Sequence, residues 1–183
     1  MQLDLEAQPR GRAIGSHQSA AAKSHTWLTP PEILAALGEF DLDPCACPPP
    51  RPWPTAREMW TREDTPLKRA WPAEARVWLN PPFGPKPVLG AFMGRMAAHG
   101  HGTALLFART ETEMFFRSVW GAASAVLFLR GRLNFHRQTG ARAERNCGAP
   151  VMLVAYGADD AAKLRHCGID GKFIRLRWGP PHA

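Results

Sequence analysis

The sequence predicts an α/β fold, and three features of its apolar patterning carry that reading. Two short apolar runs, around Phe40–Leu42 and Val77–Leu79, each stop at a polar residue followed by proline, in Asp43-Pro44 and Asn80-Pro81-Pro82. Proline donates no N–H and cannot continue a central strand, so each run is a strand that turns out of the sheet. Thr103–Ala108 is a near-continuous apolar run, the mark of a strand covered on both faces. Val88, Leu89, Phe92 and Met96 recur at helical spacing between such runs. Open α/β sheets bind ligands outside the carboxyl ends of their strands, and Asp43 and Asn80 fall there.

In chain order, residues 1–22 show no sustained apolar period and are expected to form a flexible arm, with residues 23–183 as one domain. Thr29 is a favourable N-cap, Pro30 fits the first helical position, and Glu32 completes a capping box. Ile33, Leu34 and Leu37 then give an apolar face, and Gly38 stops the helix. After the strand ending at Asp43, residues 48–57 hold too many prolines for a helix or an inner strand and predict an extended loop. Glu58–Thr61 predicts a short second strand, with Glu63 and Asp64 in the turn beyond it.

The strand ending at Asn80 is followed by a helix over 88–98 and the buried strand over 103–108. Arg109-Thr110-Glu111-Thr112 then caps a helix carrying Met114, Phe115, Val119 and Trp120. Ala125–Leu129 predicts a core strand, and residues 136–148 a polar loop with Arg137, Arg142 and Arg145. Such a loop serves either as a phosphate contact or as a solvated hairpin. Pro150–Tyr156 closes the sheet, and Phe173–Trp178 adds a short edge strand with an outward basic side.

Composition narrows the function classes. Lys and Arg number 23 against 16 acids, a net charge of +7 that favours a polyanionic partner. No stretch approaches the roughly 18 apolar residues that span a bilayer, and the charged N-terminus lacks the apolar core of a secretory signal. The expected location is the cytoplasm. Cys45-x-Cys47 is not a zinc spacing, and Cys147 and Cys167 complete no site, so neither a structural metal nor a disulfide is expected.

The chemistry concentrates at Asn80. Its side-chain oxygen and the Pro81 carbonyl can each accept a hydrogen bond from one exocyclic amine, while Phe83 stacks on the ring that bears it. Drawing both hydrogens into the plane pushes the nitrogen toward a nucleophilic geometry. Asn80-Pro81-Pro82-Phe83 resembles the catalytic (Asp/Asn/Ser)-Pro-Pro-(Tyr/Phe/Trp) tetrapeptide of amino-group methyltransferases that use S-adenosylmethionine. Trp27-x-Thr29-Pro30 is similar to the segment of adenine methyltransferases that closes over the methionine end of the cofactor. Asp43-Pro44-Cys45-Ala46 is similar to their Asp/Glu-Pro-Ala-Cys loop, and Arg130-Gly131-Arg132-Leu133-x-Phe135 to their Gly-Arg-(Ile/Leu)-x-Phe segment. In this order, from Trp27 to Tyr156, the motifs resemble the phage DNA N-6-adenine methyltransferase (phage Dam-like) family.

The resemblance implies a Rossmann-like class I methyltransferase fold, a mostly parallel seven-stranded sheet with one antiparallel strand and helices on both faces. It implies a site-specific DNA adenine-N6 methyltransferase, phage- or prophage-encoded and working in the bacterial host cell. Asn80, Pro81, Pro82 and Phe83 would be catalytic and act on an adenine flipped from the duplex. S-adenosylmethionine would be held by Trp27, Thr29, Pro30, Asp43, Pro44, Cys45, Ala46, Asp64 and Asn80, with Asp43 on its ammonium and Asp64, or Glu63, near its adenine. Double-stranded DNA would meet Arg109, Arg132, Phe135, Arg137, Arg142 and Arg145. Thr110 is a further candidate DNA contact with a second reading as a helix cap, and Phe135 has a second reading as a core residue. The chain would be a monomer or homodimer and need no metal. Two departures stand out: the loop after the first strand is not glycine-rich, and the chain has no room for a large target-recognition domain. Methylation of RNA or of a protein glutamine is the nearest alternative, and a non-catalytic DNA-binding module of the same fold is another.

Overall fold

The apolar runs pair into one seven-stranded sheet in the order β2-β1-β3-β4-β6-β5-β7. Its strands are β1 (Leu42–Asp43), β2 (Glu58–Met59), β3 (Val77–Leu79), β4 (Gly102–Phe107), β5 (Ala125–Leu129), β6 (Val151–Tyr156) and β7 (Gly171–Arg175). The computed structural model describes residues 27–83 and 86–176. The arm expected over 1–22 lies outside the described residues, as do Arg177 and Trp178 of the expected edge strand.

Side chains alternate across the sheet and build two cores. Val77, Leu79, Ala104, Leu106, Val126, Met152, Val154 and Tyr156 pack with α2 (Lys86–His99) and with α3 (Glu113–Phe115), which runs on into a π-helical turn, Phe116–Trp120. Trp78, Leu105, Ala125, Leu127, Val151, Leu153 and Ala155 pack on the other face with α1 (Pro31–Leu37) and α4 (Ala158–His166). Helices therefore cover both faces, as expected.

The expectation of a mostly parallel sheet is corrected. The β1–β2, β1–β3 and β3–β4 pairs are parallel, but β4–β6, β5–β6 and β5–β7 are antiparallel. The second reversed strand arises from α4. A strand returned by a crossover helix points the same way as the strand before it, so β7 inherits the direction of β6. The edge strand also starts earlier than the sequence pattern implies, at Gly171.

Thr29 is not the N-cap of α1. Pro30 occupies that position, no side chain caps the helix, and Thr29 is buried with its hydroxyl engaged elsewhere. The prolines at Pro30 and Pro31 fix the entry instead. Residues 48–57 do form an extended loop in place of a crossover helix. One glycine is indispensable: Gly102 has φ +131°, and a Cβ there would lie 2.1 Å from the Val77 carbonyl oxygen.

Candidate functional site

Strand direction gathers the predicted residues on one edge. β1, β2, β3 and β4 run parallel, β6 runs against β4, and β5 runs against β6, so β5 points with the first four. Asp43, the turn after β2, Asn80, Arg109 and the hairpin after β5 all leave from carboxyl ends on this edge. From β1 the chain steps to β2 on one side and later to β3 on the other, a topological switch point between Asp43 and Asn80.

A small pocket opens there, lined by Trp27, Leu28, Thr29, Asp43, Cys45, Cys47, Thr55, Trp78 and Asn80. Asp43 is 2% exposed. Its Oδ1 accepts from the Cys45 N–H at 2.8 Å and its Oδ2 from the Thr55 hydroxyl at 2.5 Å. Burial pushes its pKa up to about 6 against the lowering effects of Thr55, the Cys45 N–H and Arg51. Burial and the charge of Asp43 raise the Cys45 thiol, keeping it neutral. Asn80 donates through Nδ2 to Thr29 Oγ1 at 3.3 Å, and its Oδ1 is buried with no hydrogen-bond partner.

Thr29 is held in turn from outside. Its carbonyl accepts from Trp53 Nε1 at 3.2 Å, and the Trp53 ring meets His136 edge-on at 5.2 Å. Leu28 and His136 exchange both backbone hydrogen bonds, at 2.9 and 3.0 Å. The segment beside the pocket is thus stitched to the hairpin between β5 and β6. Gln138 Nε2 adds a bond to the Pro48 carbonyl at 2.8 Å.

The other predicted residues fall at varied distances from this centre. Pro30, Pro44 and Pro81 are buried beside it, Ala46 is bonded to the Trp60 carbonyl, and Pro82 is exposed. Phe83 is half-buried and stacks on Phe107, centroids 4.1 Å apart. Asp64 is exposed and caps the 3-10 turn Arg62–Asp64, its Oδ2 accepting from the Thr61 N–H at 2.7 Å, which lowers its pKa. It does not line the pocket. Arg109, Arg132, Arg142 and Arg145 are exposed on the same edge, and Arg137 lies 3.5 Å from Glu144. Phe135 is 5% exposed within the α1-side core, so its ring offers no free face to a base.

Six side chains of the site escaped the sequence reading: Leu28, Cys47, Trp53, Thr55, Trp78 and Phe107. Thr55 carries the one hydroxyl in the proline-rich loop, a signal that could have found it. Trp78 and Phe107 sit inside apolar runs and read as core. Among the described residues no cluster of His, Cys, Asp and Glu is arranged to hold a metal ion.

A family model for DNA N-6-adenine-methyltransferase (Dam) matches residues 15–160. The chain is also similar to the DNA N-6-adenine-methyltransferase of Escherichia phage T1, at 24% identity over 127 residues, covering 67% of this chain and 52% of that protein. It therefore spans about half the length of that curated relative. No solved structure matches the chain.

Proposed function

Because the chain belongs to the DNA N-6-adenine-methyltransferase (Dam) family, we propose that it transfers a methyl group from S-adenosylmethionine to the exocyclic amine of an adenine flipped out of double-stranded DNA. The observation that carries this reading is Asn80 Oδ1, a buried acceptor without a partner at the switch point of the sheet. Buried acceptors are almost always satisfied, so one left open at a cleft marks where a ligand donor arrives.

The donor set fits the methionine end of the cofactor. Asp43 offers a buried carboxylate to an ammonium, with Thr29 and Trp27 beside it. S-adenosylmethionine, when bound, supplies a methyl group already activated by its sulfonium. Asn80 Oδ1 and the Pro81 carbonyl accept the two hydrogens of the adenine amine and leave its lone pair aimed across the pocket. The Asn80 amide is kept in that orientation by Thr29. Phe83, backed by Phe107, gives the base a stacking plate. Catalysis by these residues is positioning of two reactants. The pocket encloses about 20 Å³, roughly one water, so its walls must part to admit the cofactor. The strand order and the switch point support a Rossmann-like class I methyltransferase fold.

Transfer of labelled methyl to unmethylated duplex DNA, with the nucleosides then separated, tests the reading. Label is expected in N6-methyladenine, and Asn80→Ala should lower the rate by about 10²-fold or more. Label in RNA or in protein glutamine instead of DNA would overturn the DNA assignment. Full activity of Asn80→Ala would remove Asn80 from the chemistry.

A further inference from the structure

Trp78, which lines the same pocket, carries a second orphaned polar atom. Its side chain is 0% exposed, fixed in the middle of β3 against the ring of Phe40 at 5.3 Å. Its Nε1 is buried with no hydrogen-bond partner. Among the described residues the indoles of Trp53, Trp60, Trp71 and Trp120 each donate to an oxygen, and Trp27 is exposed. A native core rarely leaves a donor unmet, and Trp78 lines the pocket beside Asp43 and Asn80.

The chemistry of the pocket says what the donor meets. Among the described residues no Lys or Arg lines it, so a ligand carboxylate there meets neutral donors. The Cys45 N–H and the Thr55 hydroxyl are spent on Asp43, and the Leu28 N–H on the His136 carbonyl. Thr29 Oγ1 accepts from Asn80 Nδ2, which leaves its hydroxyl hydrogen as a second neutral donor beside the indole. Asp43 attracts an ammonium and repels a carboxylate, so an amino-acid end has one orientation available, with its negative group toward the open N–H. We propose that the Trp78 indole N–H binds the α-carboxylate at the methionine end of the cofactor and sets the preference for a ligand that carries it. This rests on the methyltransferase reading above.

Calorimetric binding of S-adenosylmethionine and of its decarboxylated analogue, to wild type and to Trp78→Phe, tests the contact. Trp78→Phe is expected to weaken S-adenosylmethionine binding about tenfold and to leave the analogue within about twofold. Equal loss for both ligands, or an unchanged preference, would overturn the proposal. If the variant does not fold, indole ¹⁵N spectra of Trp27→Phe decide, because Trp78 is then the one pocket-lining tryptophan. An indole N–H resonance that moves on adding S-adenosylmethionine but not the analogue supports the contact. Identical spectra with both ligands bound sink it and leave the methyltransferase reading standing. Failure of wild type to bind either ligand sinks both.

Discussion

Asp43 works against the stability of the fold that holds it. Its carboxyl titrates at 3.8 as a free side chain and at about 6 in the folded protein, mainly because burial disfavours the charge. The folded state therefore binds the proton more tightly than the unfolded one. Below the lower value both states are protonated and folding bears no penalty. The penalty develops as pH rises between the two values and is complete above the upper one, at roughly 3 kcal/mol. Asp43→Asn should accordingly raise the thermal midpoint by several degrees at pH 7.5 and by almost nothing at pH 4. The same variant should lose S-adenosylhomocysteine binding, because the ammonium has lost its counter-charge. A midpoint at pH 7.5 equal to wild type would refute the account. In wild type, affinity for the cofactor should fall as pH drops through the titration of Asp43, which calorimetry across pH 5–8 would follow.

At the scale of elements, β3 and β4 meet so closely that Gly102 has no substitute. Its φ of +131° and the 2.1 Å approach to the Val77 carbonyl exclude any side chain. Gly102→Ala should cost at least about 2 kcal/mol in a urea titration and shift Val77 out of register with β4. Wild-type stability in that variant would show that the pairing tolerates a Cβ. The strands that frame the site were legible because their signal is abrupt. Asp43 and Asn80 are polar residues between an apolar run and a proline, so the strand ends and the candidate side chains announce themselves together. Thr29 was placed at the pocket for a sound reason but given a capping role that the double proline makes unnecessary. Trp78 was illegible, since an indole inside Val-Trp-Leu looks like core packing whether or not its N–H is satisfied. Helix α4 escaped notice although Gly157, Asp159 and Asp160 open it and Lys163, Arg165 and His166 close it. That charge order follows the helix dipole.

For the molecule as a whole, one edge of the sheet carries both the pocket and the exposed arginines. The surplus of seven positive charges becomes useful to a polyanion only if it is gathered, and Arg109, Arg132, Arg142 and Arg145 stand exposed on the pocket side. Replacing Arg132, Arg142 or Arg145 by Ala should weaken duplex binding with little regard to sequence. Each replacement should make the salt dependence shallower by about one ion, read from log Kd against log salt between 50 and 200 mM. Unchanged slopes would move the DNA path away from the hairpin. On the far side of the sheet, Arg76 reaches Asp160 at 2.8 Å, and Thr103 donates to the same carboxylate oxygen. Because breaking a buried pair strands a charge, Asp160→Ala should destabilise by about 3 kcal/mol in the same urea titration while sparing cofactor binding. The hairpin after β5 has a further consequence. Its two ends are the paired strands β5 and β6, and its grip on the pocket runs through main-chain bonds between His136 and Leu28, with the His136 ring and Gln138 beside them. Main-chain bonds ignore side-chain identity, so the arginine-bearing tip can be exchanged as a cassette. Substitutions at Arg142 and Arg145 can therefore change the charge that this edge presents without rebuilding the pocket.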